Sequence, residues 1–364
     1  MMMETIRYFQ EKYPDVNLTV LVRYQGCRKR QAYGRNIKVI NLHFFRIGKI
    51  KEWIYGRFLL RRYDLVLWVG GTCFADIGGD GLYSYFRYNI SERVPFGYLG
   101  VGIDYFENSE KRARAEKLLT SGNLAVFRDK ISLKEAKKLV CGQEKGDTGL
   151  FLAEDIVYRT LDREMSSIPK KNRLLISWRY QSQYMDAGEE AKRMEILIDA
   201  IMEIAHAYRE IVFLPIDECM DAGVNIVLAK NLKRRYYTES GMPQIFFVRH
   251  MDAREKVHFI AESEAYICGR LHGVMIGELA GCNVAALDYS LKMKIFVNSI
   301  NRQCDAVPVG EMTKEGLLTA LSNGAMADGM CIGKGKSAES DKNFEYLAKV
   351  IDDLKCRKET EIGN

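Results

Sequence analysis

The chain repeats one grammar. Short apolar runs at Asn17 to Val22, Ile37 to Ile40, Asp64 to Val69, Phe96 to Val101 and Leu124 to Phe127 are each followed by a polar or Gly-rich turn and a helix-periodic segment. Continuous apolar runs of that length suit strands buried on both faces, so successive βα units around a parallel sheet are expected. The polar, Pro-containing stretch Arg163 to Arg173 (REMSSIPKKNR) interrupts the pattern, which restarts with Leu174 to Trp178, Ile211 to Pro215, Ile245 to Val248, Ala265 to Cys268 and Val284 to Leu287. Between the first two of these, Met194, Leu197, Ile198, Ile201, Ile204, Ala205 and Tyr208 recur at helical spacing, with His206 off the stripe as a surface histidine.

The expected fold class is therefore α/β, with two Rossmann-like domains facing a cleft: an N-terminal one over 1–165 and a C-terminal one over 170–325. A length of 364 residues fits this, at roughly 150 residues per domain. The remainder, 326–364, reads as a flexible connection and a C-terminal helix. Asn323 to Asp341 is rich in Gly, Ser, Ala and charge, and Phe344, Leu347, Ile351 and Leu354 form one stripe on a helix from Asn343 to Cys356.

Hydrophobic residues make up 47% of the chain and charged residues 28%, enough to bury a core and too apolar for wholesale disorder. The net charge of +6 favours anionic small molecules or surfaces, and without a basic block or an aromatic-basic ladder nucleic acid is not an expected partner. Nine cysteines, widely spaced and without a C-x-x-C pair, read as reduced thiols of a cytoplasmic protein, and no metal site is legible. No apolar run approaches the ~18 residues of a membrane helix.

Two stretches echo each other. DLVLWVGGTCFAD (Asp64 to Asp76) and EAYICGRLHG (Glu264 to Gly273) each run from a strand into glycine and a polar-tipped turn before an expected helix. In open α/β sheets ligands bind beyond the carboxyl ends of strands, where glycines let backbone N–H groups and a helix N-terminus meet an anion. Arg270 offers a permanently charged fork and His272 a proton shuttle, and Asp288-Tyr289-Ser290-Leu291-Lys292 follows the next apolar run, giving a cationic edge.

The stretch RLHGVMIGELAGCNVAALDYSLKMK resembles the C-terminal signature of the polysaccharide pyruvyl transferase family, an R-L-H-G segment, a small-residue helix, an apolar strand and Y-x-x-K. VGGTCFAD is similar to that family's Gly-rich N-domain loop, YLGVGI to its second strand-and-glycine element, FRDKISLKEAKKL to its R-D-x-x-S segment and ISWR to the S-x-R opening of its C-domain. The family usually opens with a strand and an N-x-G-D-E-type loop leading into a first helix, whereas this chain begins at METIRYFQEKYPDV, already inside that helix.

The resemblance implies an architecture similar to glycosyltransferase-B enzymes and transfer of the enolpyruvyl carbons of phosphoenolpyruvate onto two hydroxyls of a sugar as a cyclic ketal. No cofactor is implied beyond that donor substrate. It assigns Arg179, Arg270, Leu271 (through its backbone), His272 and Lys292 to phosphoenolpyruvate, Tyr289, Gly70 and Gly71 to positioning, and His272 and Asp76 to proton transfer. Ordinary readings stay open beside these: a surface ion pair for Arg179, a core tyrosine at 289, a helix cap or turn at Asp76.

Arg128 and Asp129 read as a mutual pair or a helix cap, and His43, His250 and His258 as structural or surface residues. The acceptor is expected to be a sugar or lipid-linked glycan; the basic-aromatic segment 44–63 reads first as a core-docking helix with a solvated basic face, and alternatively as a contact with the inner face of a membrane. A nucleotide-sugar glycosyltransferase is the alternative, for which Glu195 and Glu203 supply an E-x7-E spacing, although both fall inside the periodic helix and read as solvated residues; a non-catalytic glycan-binding relative is a third reading.

Overall fold

The computed structural model describes residues 1–22, 36–41, 54–76, 79–91, 93–141, 149–159, 168–182, 184–236, 243–300, 306–324 and 330–362. The chain divides into two compact units, Met1–Thr160 together with Gly335–Asn364, and Leu161–Lys334.

In the first unit, β1 (Leu18–Val22) and β2 (Ile37–Asn41) pair in parallel as a small separate sheet. The main sheet runs β5-β4-β6-β7-β8, where β3 (Val66–Val69), β4 (Thr72–Ala75), β5 (Gly79–Asp80), β6 (Phe96–Ile103), β7 (Leu124–Phe127) and β8 (Leu150–Leu152) succeed one another in sequence and β3 also pairs with β6. Every residue of β6 is buried, as its uninterrupted apolar sequence requires of a strand covered on both faces. Alternation sorts the side chains. Phe96, Tyr98, Ala125 and Phe127 pack with Phe74, Phe86 and Leu118 on one face; Leu99, Leu124 and Val126 pack with Tyr8, Phe9 and Ile156 on the other. Helices α1 (Met2–Lys12), α2 (Tyr83–Ser91), α3 (Ser109–Ser121) and α4 (Lys130–Val140) complete this unit together with the part of the C-terminal helix, Met330–Ile362, that begins at Gly335.

That last helix corrects the expected boundaries. Residues from Met330 onward are helical where a mobile connection to Asp341 was expected, and from Gly335 the helix belongs to the first unit. The stripe of Phe344, Leu347 and Ile351 docks against Leu99, Val126 and Ile156, which explains why the run is apolar on one side.

The second unit is a six-stranded parallel sheet in the order β11-β10-β9-β12-β13-β14. Its strands are β9 (Lys171–Ser177), β10 (Glu210–Phe213), β11 (Gln244–Phe247), β12 (Ser263–Cys268), β13 (Asn283–Asp288) and β14 (Ala306–Pro308), with helices α5 (Ala187–Ile204), α6 (Glu218–Arg235), α7 (Ala253–Ala261), α8 (Leu271–Leu279), α9 (Leu291–Ser299) and α10 (Lys314–Gly324) between and after them. From β9 the chain steps outward to β10 and β11, then returns to β12 on the other side of β9. The order thus reverses between β9 and β12, a topological switch point of the kind where open α/β sheets bind ligands. The five apolar runs expected in each half are strands; β4, β5, β8 and β14 were not anticipated, each being two to four residues long.

Candidate functional site

The site is built where β9 and β12 end. Beyond Ser177 the backbone leaves the sheet, and its polar groups need new partners. Two buried residues of α6 supply them: the Asn225 side chain accepts from the Trp178 N–H (3.0 Å) and donates to the Trp178 carbonyl (2.8 Å), while Asp221 accepts from the Tyr180 N–H (3.1 Å). Trp178 is wholly buried and its Nε1 donates to Glu190, at 2.9 Å. The exit of β9 is therefore fixed at the residues before and after Arg179.

Glycines set the approach of the neighbouring tip. A Cβ on Gly269 would stand 3.1 Å from the Arg179 Cβ and 3.2 Å from its backbone nitrogen, so glycine lets the two strand ends lie this close without Arg179 giving way. A Cβ on Gly273 would meet Cys268 Sγ at 2.6 Å and Tyr266 Oη at 2.7 Å, and one on Gly277 would meet Tyr266 at 2.8 Å. The R-L-H-G glycine thus seats the first turn of α8 directly on β12. Tyr266 is anchored in turn, donating to Ser177 Oγ at 2.9 Å, and Ser177 donates to the Leu214 carbonyl at 2.6 Å.

Arg270 departs from expectation. Its fork already holds a carboxylate, that of Asp221, with Nε to Oδ2 at 2.8 Å and Nη2 to Oδ1 at 2.7 Å, and Asp217 lies 3.7 Å away. The Arg270 side chain is 21% exposed and that of Asp221 1%, so this is a largely buried, bidentate pair that ties α6 to the tip of β12. Arg179 is differently placed. Its guanidinium carbon lies 3.8 Å from the ring centre of Tyr289 and 4.8 Å from that of Tyr184, and its Nη2 donates to Tyr184 Oη at 3.1 Å. Burial pushes the Tyr289 hydroxyl above its usual range, opposed by the cations of Arg179 and Arg270 nearby. The tips of β9, β12 and β13 therefore meet around Tyr289.

Leu271 and His272 are the first two residues of α8, and Lys292 is the second of α9; all three are half-buried. Helices α5, α6 and α7 begin with Asp186, Asp217 and Asp252, each accepting from the first-turn N–H groups. Neither Arg270 before α8 nor Ser290 before α9 makes a side-chain cap. Two adjacent helix N-termini thus present backbone N–H groups uncapped by a side chain, and partial positive charge, at one sheet edge. A lysine in a first helical turn is unfavourable by about 0.3–1 kcal/mol against the helix dipole, so Lys292 concentrates positive charge there at a cost. Asp288, buried at the end of β13, accepts from the Ser290 N–H at 3.1 Å; burial raises its carboxyl above the usual range, opposed by that bond and by Lys294.

The residues expected in the first unit lie at the ends of β3 and β4. Gly70 and Gly71 both have left-handed backbones, φ +71° and +77°, but the turn they make leads into β4 rather than a helix. The supposed echo of the R-L-H-G turn is therefore a strand-to-strand link, since β3 and β4 both pair with β6. The Asp76 carboxylate accepts from the N–H groups of Glu107 (2.6 Å) and Asn108, and its carbonyl accepts from Lys111, latching the end of β4 to the start of α3. Asp129 caps α4, as one of the two readings had it, whereas Arg128 pairs with buried Asp155 at 3.4 Å and with Thr72.

His206 and His250 are exposed, and His43 and residues 44–53 of the basic-aromatic segment lie outside the described residues. Glu195 is paired with Arg235 and Glu203 with Lys314, so the E-x7-E spacing is a ladder of surface ion pairs. Among the described residues no group of three or more His, Cys, Asp or Glu could hold a metal ion, and no helix is long and apolar enough to cross a membrane. Asp221, Asn225 and Tyr184 were not foreseen; the one signal for Tyr184 is an aromatic residue in the loop after the S-x-R segment.

Comparison with solved structures gives the fold. The UDP-GlcNAc 2-epimerase of Methanocaldococcus jannaschii, solved with UDP-GlcNAc and UDP, aligns with a TM-score of 0.64 and 13% identity over 96% of each chain. A putative UDP-N-acetylglucosamine 2-epimerase from Listeria monocytogenes gives 0.64 and 12% over 96% of this chain and 93% of that one, and the Neisseria meningitidis UDP-GlcNAc 2-epimerase 0.60 and 12% over 96% of each. The chain shares their glycosyltransferase-B-like fold of α/β units with parallel sheets. A comparison with curated proteins gave no match. The family profile of polysaccharide pyruvyl transferases matches residues 1–290, which takes in the S-x-R segment, R-L-H-G and Tyr289, and the chain belongs to the polysaccharide pyruvyl transferase family.

Proposed function

We propose that the protein transfers pyruvate from phosphoenolpyruvate to a sugar, free or lipid-linked, as a cyclic ketal, and that the β9-β12-β13 edge of the second unit is the donor site. The observation that carries this reading is the pair of neighbouring helix N-termini left without side-chain caps, with His272 and Lys292 in their first turns and Arg179 beside them. Such an edge suits a small ligand with two anionic groups, a phosphate and a carboxylate. Arg179 contacts one of these groups and Lys292 the other, the Leu271 N–H donates to an oxygen, and Arg270 acts through its pair with Asp221 to hold the tip of β12.

In the reaction one sugar hydroxyl adds to the central carbon of phosphoenolpyruvate while the vinyl CH2 takes a proton and becomes a methyl group. The second hydroxyl then displaces phosphate at the same carbon. Two hydroxyl protons are lost; one is balanced by the new methyl hydrogen and the other leaves with phosphate or solvent. His272, at the N-terminus of α8, is the donor of the proton to the vinyl carbon. The test is release of inorganic phosphate from phosphoenolpyruvate in the presence of a panel of sugar and lipid-linked acceptors, with the ketal identified on the product, and a rise in melting temperature with phosphoenolpyruvate alone. Stabilisation by a sugar nucleotide and not by phosphoenolpyruvate would overturn the reading in favour of glycosyl transfer.

A further inference from the structure

Arg179 lies in an aromatic notch. Its guanidinium carbon is 3.8 Å from the Tyr289 ring centre and 4.8 Å from that of Tyr184, and the two rings are 5.3 Å apart at 54° to each other. Contacts at these distances orient the guanidinium plane as well as attracting its charge. The hydrogen bonds are incomplete: Nη2 donates to Tyr184 Oη at 3.1 Å, while Nε is buried without a partner among the described residues. A buried donor left unpaired is costly, and such a group is expected where an acceptor arrives from elsewhere. Tyr184 is 42% exposed and sits in the short loop between β9 and α5, its N–H donating to the Gln181 carbonyl at 2.8 Å. Its hydroxyl is a neutral acceptor held against a permanent cation at the edge of the site.

We propose that Tyr184 is a positioning residue for anion capture by Arg179: its ring, with that of Tyr289, fixes the guanidinium plane, and its hydroxyl occupies an N–H that the ligand's carboxylate or phosphate oxygen takes on binding. This rests on the donor site described above and adds to it a residue that holds the empty site ready and then gives way. The two parts of the side chain consequently act in opposite directions. The ring helps binding by orienting the fork, and the hydroxyl competes with the ligand for one of its donors.

Isothermal titration calorimetry with phosphoenolpyruvate, and separately with inorganic phosphate, on wild type, Tyr184→Phe and Tyr184→Ala separates these parts, with thermal unfolding of each variant recorded alongside. Tyr184→Phe keeps the ring and removes the competitor, so the dissociation constant falls about 2- to 5-fold. Tyr184→Ala removes both and raises it about 10-fold, and neither change moves the melting temperature by more than the effect of an exposed surface residue. Equal affinities in all three proteins, or weakening in Tyr184→Phe, overturn the proposal, the latter because the hydroxyl would then be a direct ligand contact. If wild type binds inorganic phosphate but not phosphoenolpyruvate, and the two variants shift phosphate affinity in those opposite directions, the role of Tyr184 stands and the donor assignment falls. If it binds neither, both fall.

Discussion

Asp221 is one buried carboxylate that organises the candidate site. It receives two bonds from Arg270 and one from the Tyr180 backbone, so it joins the tip of β12 to the exit of β9. Replacing it with alanine leaves a largely buried guanidinium unpaired, and we expect a loss of about 2–4 kcal/mol measured by urea denaturation, with Asp221→Asn losing less because the amide oxygen still accepts one bond. Asp288 behaves differently. Burial raises its folded-state carboxyl, so the fold favours the protonated form: that contribution is fully present below the unfolded carboxyl value and is lost as pH rises through the raised one. Asp288→Asn, which keeps an acceptor for the Ser290 N–H, should therefore raise the melting temperature at pH 7, and the gain should close as the pH is lowered below about 4. Arg270, Tyr289 and Lys292 stood out by residue type beside apolar runs, and Arg179 only through the resemblance of ISWR to the S-x-R segment. The partner of Arg270 was not legible, because Asp221 lies 49 positions before it and 41 after Tyr180, and only the strand order joins them.

At the level of elements, glycine carries two distinct messages that look alike in sequence. Gly273 is required by space, since a Cβ would meet Cys268 and Tyr266 below 3 Å, whereas Gly71 has nothing within 4 Å of its would-be Cβ and is required only by its φ of +77°. Gly273→Ala must lift the N-terminus of α8 off β12. We expect about 1–3 kcal/mol of destabilisation and, because the Leu271 N–H moves with the helix, at least a tenfold loss of phosphoenolpyruvate affinity. Gly71→Ala should cost about 1–2 kcal/mol from the left-handed backbone alone and leave that affinity unchanged. Calorimetric titration of both variants distinguishes the two. The same contrast explains why the echo between the two Gly-containing turns misled: strand-then-glycine is common to both, but the chain then enters a strand at Thr72 and a helix at Leu271, and the difference comes from pairing with β6 rather than from local sequence.

For the molecule as a whole, the two-unit α/β plan was legible because parallel strands buried on both faces write long apolar runs, and the restart near residue 170 marks the second sheet. The destination of the C-terminal helix was not legible, since its stripe states only that it docks somewhere. It covers Leu99, Val126 and Ile156 of the first unit through Phe344, Leu347 and Ile351, three side chains worth about 1.5–3 kcal/mol each when buried. That sum approaches the total stability of an ordinary domain, so a chain ending at Lys334 should lose the cooperative unfolding transition of the first unit in differential scanning calorimetry while that of the second unit persists. The central claim, that the edge formed by β9, β12 and β13 holds phosphoenolpyruvate, is tested most directly by a crystal structure with an unreactive analogue of it. The account predicts an oxygen of the analogue on Arg179, another on the Leu271 N–H, and the phosphate facing Lys292; an analogue bound away from all three would contradict it.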